Sequence, residues 1–134
     1  MFNGLQQHHI GCLVANIEEF KKENTGIWKA SDYSDVFPIE AQDVKVCFID
    51  QPNGIKIELV EPGPNNRSLS KMLDKGTSYY HLAFISSAYD EAVEAFEEAN
   101  CRQLSEFRSE AFNGNRCCFF YHPHLKLVEL IESN

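Results

Sequence analysis

The sequence predicts an α+β fold in which two tandem βαβββ modules pair into one structure. Two observations lead there. Shifting the chain against itself by 71 residues places Cys47 on Cys118, Phe48 on Phe119, Pro52 on Pro123, Glu58 on Glu129, Leu59 on Leu130 and Glu61 on Glu132. A shift of 72 residues places His9 on His81 and aligns the aliphatic runs that follow them. Self-similarity at a fixed offset is the signature of a repeated supersecondary unit. With 134 residues and 43% hydrophobic content, the chain suits one domain, residues 1–134, so both copies must share one structure.

Each module reads in the same order, the first over about 5–62 and the second over about 79–133. Gln7 to Val14 is an apolar strand. Asn16, with Glu19 three residues on, resembles a capping box that opens a short helix from Ile17 to about Thr25. A variable stretch leads to "VKVCFID" and "IKIELVEP", both rich in β-formers, with "QPNG" between them. Asn53-Gly54 suits a type I′ hairpin. In the linker, about 63–78, Pro and Gly surround one helical stretch from Ser68 to Asp74. The second module opens with a strand from Tyr79 to Ser86. Ser87 is placed to cap a helix that runs through Ala92, Val93, Phe96 and Ala99. "RCCFFY" and "LKLVELIE" close it, joined at "HPHL".

Composition excludes several functions. A formal net charge of −8, without a cluster of Lys and Arg, argues against nucleic acid and against an anionic membrane surface. The opening "MFNGLQQHHIGCLV" lacks a basic n-region and an unbroken apolar core, so the expected location is the cytoplasm. Cys12, Cys47, Cys101, Cys117 and Cys118 are odd in number and show no CxxC spacing, which fits reduced core thiols.

The chemistry rests on four polar residues at matching places. Strand side chains alternate faces, so Glu58 points away from Ile57 and Leu59, and Glu129 away from Val128 and Leu130. His9 and His81 stand opposite Ile10 and Leu82. Singly, a strand Glu is usually solvated and a strand His usually structural. Together, two imidazoles and two carboxylates make a divalent-metal set with open positions for water or substrate. His8 falls on the other face from His9, and His122 and His124 lie at a hairpin tip.

"HHIGCLV", "IKIELVEPG", "YYHLAF" and "LKLVELIE" resemble the vicinal oxygen chelate superfamily, most closely its methylmalonyl-CoA epimerase-like branch. The resemblance implies that the modules form an incomplete, barrel-like sheet around a metal cleft, where His9, Glu58, His81 and Glu129 bind one divalent cation, Zn, Ni, Co, Fe or Mn. In "FNGNRCCFFYHP" it implies that Gly114 and Arg116 contact an acyl-thioester or its phosphates. The branch's non-ligand glutamate falls at Ala41, one place after Glu40. The implied activity is a metal-dependent isomerase or epimerase that moves a proton next to a carbonyl, with Glu129 as one acid-base group and Glu40 as candidate for the second face. Glyoxalase-I-like lactoylglutathione lyase chemistry and non-catalytic binding of a small molecule are the alternatives. Exposed sheet edges lead us to expect a homodimer.

Overall fold

The computed structural model describes residues 4–134. It is a mixed α+β fold of eight strands and three α-helices in the order β1 (Leu5–Leu13), α1 (Ile17–Glu23), β2 (Phe37–Ile39), β3 (Val44–Ile49), β4 (Lys56–Pro62), α2 (Arg67–Asp74), β5 (Tyr79–Ser86), α3 (Tyr89–Glu98), β6 (Arg102–Ser109), β7 (Asn115–His122) and β8 (Lys126–Glu132). The β-α-β-β-β order occurs twice, with α2 between the copies. The chain divides into two compact units, Ile10–Tyr80 and the segment up to His9 with His81–Asn134, so both boundaries fall inside strands, β1 and β5.

In the unit Ile10–Tyr80 the strand order is β1-β4-β3-β2. β3 and β4 are antiparallel, with Cys47 opposite Leu59 and Phe48 opposite Glu58. Ile17, Cys47, Ile49 and Leu59 form the buried core, with Phe20 and Trp28 packed on it. The Asn16 side chain accepts the Glu19 N–H at 2.9 Å, and the Glu61 carboxylate accepts the Ile17 N–H at 2.9 Å. Two of the free N–H groups at the start of α1 are thereby satisfied. The helix stops at Glu23, two residues short of the expected Thr25, because Asn24 turns its side-chain amide back onto the Phe20 carbonyl. Asn66 caps α2 in the same way, accepting the Leu69 N–H at 3.2 Å.

The β3–β4 connection departs from the type I′ expectation. That turn needs positive φ at both central residues. Gly54 has φ +82°, but Asn53 is not in that region. Instead the Gly54 N–H reaches the Gln51 carbonyl at 3.0 Å, and the Asn53 side chain accepts the Ile55 N–H at 3.0 Å. Pro52 at the first corner and a local Asn turn thus give a longer loop.

In the other unit the order is β1-β5-β8-β7-β6. β5 and β8 run parallel, with Ala83 beside Glu129, and β7 and β8 run antiparallel, with Cys118 opposite Leu130 and Phe119 opposite Glu129. Tyr89 and Ala92 of α3 pack with Cys101, Cys118, Phe120 and Leu130. Ser87 is not the cap of α3. Ala88 holds the cap position and no side chain caps the helix; the buried Ser86 hydroxyl accepts the Ala88 N–H at 3.0 Å in the turn that leads into it. None of the five cysteines is in a disulfide; four are buried and Cys12 is half-buried.

Candidate metal centre

In the unit that joins β1's first half to His81–Asn134, three strands each contribute one polar side chain. His9 comes from β1, His81 from β5 and Glu129 from β8. Leu130 faces α3, so Glu129 projects from the opposite side, where Ala83, Cys117 and Ile131 form a fully buried apolar cluster. The three polar residues are as buried as that cluster, His9 at 0%, His81 at 1% and Glu129 at 4% exposure. The solvated outer-face role usual for a strand Glu is therefore ruled out for Glu129.

The donor atoms converge. His9 Nε2 lies 2.9 Å from His81 Nε2, and Glu129 Oε1 lies 3.2 Å and 3.4 Å from these two nitrogens. Burial alone would raise the Glu129 pKa, but the hydrogen bonds and charge of His81 and His9 outweigh it and hold the carboxyl below the usual carboxylate range. Phe119 meets the His81 ring edge-on at 5.3 Å, and Phe112 lies parallel to His9 at 6.2 Å. The His8 ring also reaches this group: its Nδ1 is 2.8 Å from His9 Nδ1, closer than strict alternation of neighbouring side chains allows.

These separations fit a cation. Two ligands each about 2.1 Å from one ion stand about 3.0 Å apart at a right angle and about 3.4 Å apart at a tetrahedral angle. Borderline-soft imidazole with a carboxylate suits first-row divalent ions, and the buried negative charge needs a positive partner. Among the described residues, His9, His81 and Glu129 are part of a His/Glu group able to hold a metal ion.

The other residues singled out from the sequence are placed as follows. Glu58, on β4 of the other unit, is 5% exposed and stands opposite Phe48, as Glu129 stands opposite Phe119. Burial, and then the Glu58 charge, push the neighbouring Cys12 thiol up. Glu40 is exposed at the start of a 3-10 turn, Glu40–Gln42. Gly114 has φ +76°, and its carbonyl accepts from the Arg108 guanidinium at 2.9 Å. The Arg116 guanidinium donates to Glu132 at 2.8 Å and 3.2 Å and to Asp90 at 3.2 Å, and it covers the Tyr89 ring at 4.4 Å. His122 serves the hairpin, its Nδ1 accepting the His124 and Leu125 N–H groups at 3.0 Å. The sequence reading missed His8, Phe112 and Phe119 as neighbours of the centre. Phe119 had a signal, its alignment with Phe48.

The family model described as Glyoxalase/Bleomycin resistance protein/Dioxygenase superfamily matches residues 8–119. Among solved structures, a hypothetical protein from Bacillus halodurans C-125 is similar, with a TM-score of 0.78 at 21% identity, over 98% of this chain and 96% of that one. Methylmalonyl-CoA epimerase from Mycobacterium tuberculosis gives a TM-score of 0.74 at 22% identity, over 96% and 87%. A variant of the Streptomyces coelicolor methylmalonyl-CoA epimerase, in complex with 2-nitronate-propionyl-CoA, gives 0.76 at 20% identity, over 96% of each chain. Compared with curated protein sequences, the chain has no match. With the family model spanning most of its length, this chain belongs to the Glyoxalase/Bleomycin resistance protein/Dioxygenase superfamily.

Proposed function

We propose that the chain is a metal-dependent isomerase or epimerase that moves a proton on the carbon beside a carbonyl, with His9, Glu58, His81 and Glu129 as ligands of one divalent cation, Zn, Ni, Co, Fe or Mn. The convergence of His9 Nε2, His81 Nε2 and Glu129 Oε1 within 3.4 Å is the observation that carries this reading. Glu58 joins the set by register. It occupies the place in its hairpin that Glu129 occupies in the other, with the same partner type and nearly the same burial. A divalent cation supplies Lewis acidity to a substrate carbonyl and so acidifies the adjoining C–H.

The remaining work falls to side chains. Glu129, held ionised beside two imidazoles, would accept the proton through its carboxylate on leaving the cation's coordination sphere. Phe112 and Phe119 keep water from the imidazole rings. Glu40 is the proposed group for the second face, where its exposed carboxylate exchanges protons with solvent. The substrate class we propose is an acyl-thioester, in line with the 2-nitronate-propionyl-CoA in complex with the Streptomyces coelicolor epimerase variant. Gly114 and Arg116 would contact it. Asp90 is 77% exposed, so an incoming anion displaces it from Arg116 more readily than it displaces the half-buried Glu132. We further propose a homodimer, because among the described residues no further strand pairs with the outer edges of the terminal strands β2 and β6. No helix among the described residues is long and apolar enough to cross a membrane.

Glyoxalase-type chemistry on a hemithioacetal is the second reading, favoured by the tight β7–β8 hairpin between His122 and Lys126. One experiment separates the two. Metal-loaded protein is incubated in deuterated water with 2-methyl-branched acyl-thioesters and with hemithioacetals, and followed by NMR. Deuterium beside the carbonyl with inversion of configuration supports the epimerase. Conversion to a 2-hydroxyacyl thioester supports the lyase. No exchange with any member of the panel removes both and leaves a binding protein.

A further inference from the structure

His9 meets an imidazole at each of its ring nitrogens. Its Nε2 lies 2.9 Å from His81 Nε2, and its Nδ1 lies 2.8 Å from the Nδ1 of His8. Neighbouring strand side chains normally point to opposite faces, so this second contact needs the two rings to turn toward each other. Phe112 braces that arrangement, touching the His8 ring edge-on at 5.2 Å and lying parallel to His9 at 6.2 Å. Two neutral imidazole nitrogens at hydrogen-bond distance share one proton, and either ring can supply it.

The trio decides which. To bind a cation, His9 Nε2 must present its lone pair toward His81 and Glu129. A neutral imidazole carries one N–H, so in that state the proton sits on Nδ1 and needs an acceptor. His8 Nδ1 faces it. We propose that His8 is the positioning residue of the metal centre, accepting the Nδ1–H of His9 and so holding His9 in the tautomer whose Nε2 is open to the cation. The inference rests on the reading of His9, His81 and Glu129 as metal ligands. Metal-bound histidines usually donate to a carboxylate, a carbonyl or water. An imidazole in this place orients the ring without adding a negative charge to a site that already buries a carboxylate.

The test uses the Zn2+-loaded protein and two variants. Long-range 1H–15N NMR of the wild type should show His9 protonated at Nδ1 and bound at Nε2, with His8 bare at Nδ1. His8→Phe keeps a ring against Phe112 but removes the acceptor, whereas His8→Asn keeps an acceptor oxygen near the lost nitrogen. In competition with a chelator, His8→Phe should bind Zn2+ about 10- to 100-fold more weakly. His8→Asn should recover most of that loss. A wild-type spectrum with the proton on His8 Nδ1 overturns the inference, even if His8→Phe fails to fold. Wild-type affinity in His8→Phe overturns it too, while the metal reading stands. A wild type that takes up no Zn2+ overturns both.

Discussion

His9 and His81 bring their Nε2 atoms to 2.9 Å from one another with neither residue more than 1% exposed. Two imidazolium ions cannot stand that close in a dry site, so at least one ring is neutral there. The same closeness is ordinary when two nitrogens share an ion. We therefore expect about one divalent ion per chain and a clear thermal response to its removal. At a ligand concentration 100 times the dissociation constant, binding adds about 2.7 kcal/mol, which for a domain of this size raises Tm by roughly 10 °C. Calorimetry with and without a chelator checks this. An unchanged Tm with Zn, Ni, Co, Fe and Mn would remove the metal.

The two carboxylates should respond alike. Glu129→Gln and Glu58→Gln each keep side-chain shape and remove a buried charge, so the metal-free protein should change stability by no more than about 1–2 kcal/mol in either direction. Metal affinity should fall sharply in both. Elemental analysis after dialysis, with a urea midpoint for each variant, reads the two effects separately. Full metal content in Glu58→Gln beside loss in Glu129→Gln would show that the register equivalence does not extend to ligation.

What the sequence made legible follows from where its signals are strong. The repeat exposed β3–β4 and β7–β8, because core residues and the embedded glutamates recur together, and the structure pairs them alike, Phe48 with Glu58 and Phe119 with Glu129. The edge strands carried no such signal. β2 is three residues long with Pro38 at its centre, and β6, mostly exposed with a register break between Gln103 and Ser105, shows no regular alternation. His8 was set aside by the alternation rule, which fixes where Cβ atoms start but not where long rings end. Phe112 lies in a short 3-10 turn, Glu110–Phe112, where neither strand nor helix periodicity applies.

Cap placement shows the same limit at one-residue scale, and it is testable. Sequence pattern favours Ser87 as the cap of α3, whereas the cap position is Ala88, with no side-chain cap, and Ser86 holds the Ala88 N–H in the turn before the helix. Ser86→Ala should destabilise the protein by about 1 kcal/mol, because the Ala88 N–H loses its acceptor, and Ser87→Ala by a few tenths at most. Chemical denaturation of both variants decides; a larger loss at Ser87 would return the cap to the residue the pattern chose.

Cys118 should make the fold sensitive to alkali. Burial in the core under α3 is the main cause that pushes its thiol from the ordinary 9.0 up to about 11. Below pH 9 the thiol is protonated in both the folded and the unfolded chain, so it adds no pH dependence there. Between pH 9 and about 11 the unfolded chain releases its proton while the folded chain keeps it, so stability falls as pH rises, by about 2–3 kcal/mol across that window. Burial also raises the thiols of Cys12, Cys47 and Cys101, so the whole-protein loss includes more than one group. The comparison must therefore be a difference. Cys118→Ala removes this titration at the cost of a small cavity that weighs equally at both pH values. Urea midpoints at pH 8 and pH 10.5 should show a smaller alkaline loss in Cys118→Ala than in the wild type, and equal losses would mean that the Cys118 thiol ionises in the fold as readily as it does in water.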